Sequence, residues 1–147
     1  MLVRLLYASR AVDAIGSGLI DAILAESHSY NAAHGITGIL CAYQNGNVFI
    51  QAIEGSREEV NRLYNNIVRD ARHTEVTVLD YEEVGQRVFS SWRMGRVDLN
   101  RVNVSTILRY SEHSQLDPFR LPGKTALALL LELATTTSVV GRGEPAK

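Results

Sequence analysis

The sequence is short of cysteine, with one in 147 residues, and it holds only three prolines. A disulfide needs two thiols and a thiolate metal cage needs several, so Cys41 alone excludes both kinds of site within this sequence. The four histidines are scattered without the close spacing of a metal-ligand pair, and we expect no metal site. This cysteine content is typical of proteins in the reducing cytoplasm.

An excess of one charge and long hydrophobic runs are also missing. Fifteen basic and sixteen acidic side chains leave a formal net charge of −1, so we expect no broad attraction to nucleic acid or to an anionic membrane. The stretch 125–134 comes closest to a membrane span, which needs about 18 to 20 apolar residues. The N-terminal apolar run is interrupted by Arg4 and is too short for a signal peptide. These features predict a soluble, cytoplasmic protein.

What is present is the composition of one folded domain, with 46% hydrophobic residues. Apolar, partly β-branched runs predict strands over 2–7, 36–43, 48–53, 76–81 and 88–97. The pair Asn45-Gly46 lies between the second and third of these runs. Since Asn-Gly is a strong hairpin signal, these two strands are predicted to pair antiparallel.

Two helices are predicted between these strands. Apolar residues at helical spacing follow Ser17, and Gly35 can adopt the left-handed conformation that often follows a helix. Ser56 and Glu59 have the spacing of a capping box at the start of a second helix, which reaches residue 68. The resulting order β-α-β-β-α-β-β predicts a ferredoxin-like α+β sheet, with both helices on one face and the other face open.

The last third of the chain supplies a cover for the open face. Apolar residues at helical spacing predict helices over 102–110 and 125–135. The economical interpretation packs both helices against the sheet, and a dimer contact through the same leucines is the alternative. Residues 141–147 are expected to fray.

Polar side chains at positions of predicted burial are the first sign of a binding site. Gln51 interrupts an apolar strand and shares a face with Phe49 and Ile53. A buried amide needs hydrogen-bond partners, and Tyr7, at the end of the first strand, could supply one. The alternatives are a Gln51 that faces solvent or a backbone group, and a core Tyr7 whose hydroxyl reaches water.

Further candidates lie near helix ends and in the fifth strand. Asn31 could pair with the edge of a heterocycle or cap its own helix. Arg72 and His73 could meet a carbonyl or a phosphate, or could form a solvated helix end. Trp92 and Met94 are two residues apart on one predicted strand and are therefore expected on one face, where a purely structural role in the core is the alternative.

Together these residues resemble the BLUF family, the blue-light sensors that use FAD. The matching stretches are LYASR at 6–10, Asn31 with GITGIL at 35–40, FIQAIEG at 49–55, Ile67 with DARH at 70–73, and FSSWRM at 89–94. No single stretch is specific, but their combination in this order is. The resemblance implies a flavin-binding sensor domain over 1–97, capping helices over 98–140 and a flexible tail over 141–147.

The resemblance also implies roles for particular residues. Tyr7 and Gln51 would form the light-active hydrogen-bonded pair, and Asn31 would hold the pyrimidine edge of a non-covalently bound FAD. Trp92 and Met94 would relay the signal outward along the fifth strand. The implied cofactor-binding residues are Tyr7, Ile23, Ser27, Asn31, Leu40, Phe49, Gln51, Ile67, Asp70, Arg72 and His73.

The implied function is that of a blue-light photoreceptor, not of an enzyme. Light-driven transfer of an electron and a proton from Tyr7 would rearrange the hydrogen bonds among Tyr7, Gln51 and the flavin. The sequence after the sensor domain resembles no cyclase, phosphodiesterase or DNA-binding module. We therefore expect the signal to pass to a separate partner protein, and we expect a homo-oligomer.

Two other functions fit the same pattern of elements. A ferredoxin-like interaction module without a chromophore would use the open face or the leucine-rich last helix. A small enzyme of the acylphosphatase type would need a phosphate-binding loop after the first strand, and residues 9–12 lack the glycines of such a loop.

Overall fold

The structure, a computed structural model, describes residues 1–135, which form five strands and four α-helices. In chain order these are β1 (Leu2–Ala11), α1 (Ser17–His34), β2 (Thr37–Tyr43), β3 (Val48–Ser56), α2 (Arg57–Val68), β4 (His73–Val84), β5 (Gly95–Asp98), α3 (Val104–Tyr110) and α4 (Gly123–Ala134). Within the described residues, no helix is both long enough and apolar enough to cross a membrane. The predicted tail over 141–147 and the last five residues, 136–140, of the predicted capping region lie outside the described residues.

The five strands form one sheet in the order β4-β1-β3-β2-β5. Neighbouring strands among β4, β1, β3 and β2 pair antiparallel, and β5 pairs parallel to β2. This is the predicted ferredoxin-like arrangement with one added strand, so the predicted fold class is confirmed. The register puts Tyr7 of β1 opposite Gln51 of β3, and Gln51 opposite Leu40 of β2, in the middle of the sheet.

Local sequence signals set several of the element ends. Gly35 follows α1 with a φ of 68°, and its N–H donates to the Asn31 carbonyl. The Ser56 side chain accepts from the Glu59 N–H at 3.2 Å and so caps α2. The Glu59 carboxylate pairs with Arg62 one turn later. The serine part of the predicted capping box is therefore present. The Ser56 side chain satisfies an amide that the first turn of the helix leaves without a partner.

The sheet separates two hydrophobic cores. The helix-face core lies under α1 and α2 and consists of Val3, Leu5, Tyr7, Ala11, Ile15, Ile20, Leu24, Ile36, Leu40, Ala42, Phe49, Ile53, Val60 and Met94. The cap-face core lies under α3 and α4 and consists of Leu6, Ile39, Cys41, Tyr43, Val48, Ile50, Ala52, Phe89, Trp92, Val97, Leu99, Ile107, Leu116, Ala126, Leu127, Leu129, Leu130 and Leu133. The predicted cover of the second sheet face by the last two helices is confirmed.

The fifth strand is shorter than the predicted 88–97, since only Gly95–Asp98 is strand. The N–H groups of Val88 and Phe89 donate to the Glu54 carboxylate. The carbonyls of Arg93 and Met94 are bound by side chains of α1. Because side chains satisfy these backbone groups, the segment before β5 needs no strand partner.

The expectation that Trp92 and Met94 share a face is wrong for the same reason. Met94 lies in the helix-face core, whereas Trp92 lies in the cap-face core. The alternation of a strand does not apply to residues 88–94, so a spacing of two residues does not bring these side chains to one side. Three other strands are longer than predicted: β1 extends to residue 11, β3 extends to residue 56, and β4 spans 73–84 along β1.

Candidate cofactor-binding site

A cleft of about 860 Å³, counting the space open at its mouth, lies between α1, α2 and the sheet. The structure brings all eleven predicted cofactor-binding residues into its lining, from six separate elements and the connection between α2 and β4. They are Tyr7, Ile23, Ser27, Asn31, Leu40, Phe49, Gln51, Ile67, Asp70, Arg72 and His73. Four further lining residues were not predicted from the sequence, and these are Glu26, Tyr30, Leu63 and Asn66.

Helix geometry explains why the four unpredicted residues also line the cleft. Residues three or four apart lie on the same side of a helix. Leu63 and Asn66 precede Ile67 and Asp70 by one turn, and Tyr30 follows Ile23 by two turns. The period of α1 and α2 could therefore have extended the predicted set along the walls of the cleft.

Tyr7 and Gln51 are the buried polar pair in the sheet wall of the cleft. Only 3% of Tyr7 and 5% of Gln51 is exposed. The Tyr7 hydroxyl donates to the Gln51 Oε1, and the Gln51 Nε2 donates to the Met94 Sδ at 3.3 Å. Both groups thus have partners, which removes the alternatives of a solvent-facing Gln51 and a Tyr7 hydroxyl in water.

The surroundings keep Tyr7 protonated. Burial raises the pKa of Tyr7 far above its usual value, and the nearby Asp70 and Tyr64 add to this shift. The cause is that a phenolate would lose its hydration and would lie near a carboxylate. Tyr7 is therefore a hydrogen-bond donor at any physiological pH, and Gln51 must offer it an acceptor.

Asn31 joins α1 to the residues before β5. Its Nδ2 donates to the Arg93 carbonyl at 2.6 Å, and one turn earlier the His28 Nε2 is 3.1 Å from the Met94 carbonyl, to which it donates. The Asn31 side chain is buried and leaves its Oδ1 outside that bond. The side chain therefore does not cap its own helix, the alternative that the sequence left open.

Charged side chains form a network at one end of the cleft. Arg72 binds Asp70 at 2.5 Å and Glu26 of α1 at 2.8 Å. The hydrogen bond from Arg72 holds the pKa of Asp70 below its usual value. This network ties α1 to the connection between α2 and β4.

His73 is bound by the protein through both ring nitrogens. Its Nε2 lies 2.6 Å from the Ile67 carbonyl, to which it donates, and its Nδ1 lies 2.8 Å from the Ser9 hydroxyl. A carbonyl can only accept, so Nε2 carries a proton, and in the neutral ring Nδ1 therefore accepts from the Ser9 hydroxyl. His73 thus contributes the surface of its ring to the cleft.

Tyr30 brings to the cleft wall a polar group that is unpaired within the described part of the chain. Its ring stacks on His34 with the centroids 4.0 Å apart. Its hydroxyl is buried and finds no hydrogen-bond partner among residues 1–135. Such a group costs free energy unless something binds it, so it favours a polar ligand in the cleft.

The residues present fit a flat aromatic ring with a polar edge. Leu40, Phe49, Ile23 and Ile67 give apolar walls, while Gln51 and the other polar side chains of the lining supply donors and acceptors that can orient a ligand, as is usual in small-molecule sites. A flavin has this chemistry, with an apolar ring system and a pyrimidine edge of donors and acceptors. The fold and the cleft define a ligand-binding α+β domain.

Comparison with known proteins gives the family. The model of the family BLUF, described as sensors of blue-light using FAD, matches residues 2–95. This match covers more than half of the chain. The chain belongs to the BLUF family.

Two known relatives are similar to about two thirds of this chain. The beta subunit of the photoactivated adenylate cyclase of Euglena gracilis is 35% identical over 94 residues, which are 63% of this chain and 11% of that protein. The blue light- and temperature-regulated antirepressor BluF of Escherichia coli is 31% identical over 99 residues, or 67% of this chain and 24% of that one. The chain thus spans a small part of the length of both proteins.

A structural match has nearly the same extent as this chain. The photo-activated state of BlsA superposes with a TM-score of 0.82 at 31% identity. The match covers 96% of this chain and all of that one. The architecture of this protein, including the sheet cover that follows the family's matched region, is therefore shared with a known BLUF protein.

Proposed function

We propose that this protein is a blue-light photoreceptor that binds FAD non-covalently in the cleft and has no enzymatic activity of its own. The observation that carries the proposal is the buried Tyr7–Gln51 hydrogen bond in the wall of a ring-sized cleft. A phenol that can give up an electron and an amide that can exchange its donor and acceptor ends are a switch that needs no net reaction.

Tyr7 and Gln51 carry the switch. A bound flavin supplies, when it absorbs blue light, an acceptor for one electron. Tyr7 gives up this electron, and its hydroxyl proton passes along the existing hydrogen bond to the Gln51 Oε1. The electron then returns to Tyr7 together with one proton. Return of the Oε1 proton leaves the Gln51 amide rotated, and return of an Nε2 proton instead leaves it tautomerised. The protein retains a changed hydrogen-bond pattern after the chemistry has been reversed.

Asn31 and the apolar walls hold the ring. The Asn31 Oδ1 accepts from the polar edge of the ligand while its Nδ2 stays on the Arg93 carbonyl. Ile23, Leu40 and Phe49 exclude water from the ring, which strengthens the hydrogen bonds of Gln51. Ser27 and Arg72 line the same cleft, and Arg72 belongs to the charged network at one end of it.

The signal leaves the site through Met94 and Trp92. Met94 receives the hydrogen bond of the Gln51 Nε2, so rotation of the amide removes a donor from the Met94 sulfur. Trp92, two residues away, lies in the cap-face core beneath the last helices. The contact of Trp92 with the cap-face core supports a relay from a sensor domain over 1–97 to a capping region over 98–140. We further propose that a separate protein reads this region, and that the protein is a cytoplasmic homo-oligomer.

An absorption spectrum before and after illumination tests the function. The purified protein should be yellow, release FAD on denaturation, and show a red shift under blue light that reverses in the dark. A protein that binds FAD but does not respond to light would contradict the proposal. A colourless protein without releasable flavin would instead support the chromophore-free interaction module.

Two variants test the assigned roles. Tyr7→Phe and Gln51→Leu should keep the flavin bound but lose the red shift, since each removes one end of the hydrogen bond. Tyr43→Phe is the control, because Tyr43 is also buried but lies in the cap-face core. A normal photocycle in Tyr7→Phe or Gln51→Leu would refute the roles of the pair.

A further inference from the structure

Glu54 is a fully buried carboxylate on β3, three residues after Gln51. Its two oxygens accept four hydrogen bonds, from Arg4 Nε at 3.0 Å, Thr37 Oγ1 at 3.2 Å, Val88 N at 2.9 Å and Phe89 N at 2.9 Å. A carboxylate offers about four acceptor sites, so this one is fully used. The function proposed above does not employ it.

Two of the four donors belong to the connector, the segment 85–94 between β4 and β5. Glu54 holds the amides of Val88 and Phe89 near the middle of this segment. Asn31 and His28 hold the carbonyls at its end, and the Gly38 N–H donates to the Trp92 carbonyl at 3.1 Å. The connector is thus tied to β3, α1 and β2 by polar contacts.

The connector also passes between the two cores. Phe89 and Trp92 are buried in the cap-face core, and Met94 is buried in the helix-face core with its sulfur on Gln51. A displacement of Met94 can reach Trp92 only if the backbone between them moves as a unit. For the backbone to move as a unit, the connector needs a fixed point N-terminal to Trp92. The hydrogen bonds from Val88 and Phe89 to the Glu54 carboxylate supply this point.

We propose that Glu54 is a positioning residue whose carboxylate fixes the connector at Val88 and Phe89, so that a change at Gln51 and Met94 is transmitted to Trp92. The light-dependent part of this inference rests on the proposed photoreceptor function and adds to it the residue that holds the relay segment. The anchoring itself is a property of the protein in the dark.

Glutamine has nearly the same shape but cannot replace this carboxylate. One of its two terminal atoms is an NH2 group, which donates and does not accept. On the Oε2 side the NH2 group would face the N–H groups of Arg4 and Val88, and on the Oε1 side it would face the Thr37 hydroxyl and the Phe89 N–H. Either orientation leaves one connector amide without an acceptor.

Hydrogen exchange in the dark tests the anchoring in the flavin-loaded full chain. In Glu54→Gln, amides in a peptide covering 87–94 should exchange at least about tenfold faster, because local opening becomes easier. Peptides from α1 and α2 should exchange as in the wild type. Unchanged exchange at 87–94, or equal acceleration in every peptide, would overturn the proposal.

A second variant and a matched control separate anchoring from general stability. Val88→Pro deletes one donor to the carboxylate from the connector side and leaves the Arg4–Glu54 ion pair in place. It should accelerate exchange at Phe89 even if Glu54→Gln fails to fold. Glu82→Gln removes the other carboxylate that binds Arg4 and touches no connector amide among its known contacts, so it should leave 87–94 protected. An equal effect in Glu82→Gln would overturn the proposal.

Fluorescence of Trp92 tests the light-dependent part, since it is the one tryptophan in the sequence. In Glu54→Gln the flavin red shift should persist, whereas the light-induced change in Trp92 emission should fall to about half or less of the wild-type change, because the relay has lost its fixed point. A full Trp92 response in this variant would overturn the inference. If the wild type shows no red shift, the photoreceptor function fails, and the dark exchange result still decides the anchoring.

Discussion

Tyr7 shows how one residue obtains its chemistry from its surroundings. Its ring is edge-on to Tyr64 and His73, with centroids 6.1 and 6.3 Å away, and its hydroxyl has the Gln51 amide as acceptor. Burial, Asp70 and Tyr64 raise the pKa of Tyr7, so the neutral phenol persists in alkaline solution. The same enclosure that protects the proton also brings its acceptor within hydrogen-bonding reach.

The raised pKa of Tyr7 predicts a particular pH dependence of stability. In the unfolded chain Tyr7 ionises near pH 10, and in the folded protein it ionises higher. Its contribution to folding is therefore complete below pH 10 and is lost as the pH rises above that value. Above pH 10, the wild type should lose up to about 1.4 kcal/mol per pH unit more than Tyr7→Phe.

Urea unfolding at a series of pH values from 8 to 11 measures this difference. The comparison with Tyr7→Phe removes the contributions of the other five tyrosines, which both proteins share. Parallel stability curves for the two proteins across the whole range would show that the Tyr7 pKa is not raised.

The start of α4 lies very close to the backbone of β4. A Cβ on Gly123 would lie 1.9 Å from the Leu79 carbonyl oxygen of β4. Nearby, the Lys124 ammonium group binds Asp80 and Glu82 of the same strand at 3.1 Å. The glycine therefore sets the distance between the capping helix and the edge of the sheet, a role that its place in the sequence did not indicate.

Gly123→Ala should push α4 away from β4. Leu79 lies at a register shift, but its neighbours Val78 and Asp80 pair with Tyr7 and Leu6 of β1. Its backbone oxygen therefore cannot move aside cheaply, and we expect a loss of about 1–3 kcal/mol. Gly18→Ala is the control, since a Cβ on this residue of α1 would meet nothing within 4 Å and alanine favours helix. Thermal unfolding of both variants measures the effect, and equal stability of the two would contradict it.

The elements differ in how far local sequence determines them. Gly35 and Ser56 act on backbone groups within a few residues, so the ends of α1 and α2 were predictable. The connector was not, because Glu54 lies 34 residues from Val88 and His28 lies 66 residues from Met94. The run 88–97 has the composition of a strand, and distant side chains satisfy its first part instead.

The whole molecule is a sheet with a core on each face. The helix-face core contains the cleft and Tyr7, and the cap-face core contains Trp92. Neighbouring residues of β3 belong to different cores, since Phe49 faces the cleft and Ile50 faces the cap. Neither core can come apart without disturbing strands that the other needs.

Leu130→Ala should therefore destabilise both sides of the molecule together. Leu130 is fully buried in the cap-face core, and its truncation should cost about 2–5 kcal/mol. Denaturation followed by Trp92 emission and by flavin absorbance should give one common midpoint, which shifts equally for both probes in the variant. Separate midpoints, or a shift in the Trp92 signal alone, would show that the cap unfolds independently.

By itself the sequence determined the order of the elements, the pairing of the central hairpin and the polar residues that meet in the cleft. It did so because alternation, helical period and caps act over a few residues, and because the stretches from LYASR to FSSWRM occur together in one family. Only the tertiary structure decided that Met94 and Trp92 lie on opposite sides of the sheet and that Glu54 holds the segment between β4 and β5. These outcomes depend on which distant side chain satisfies each backbone group, and no local pattern carries that information.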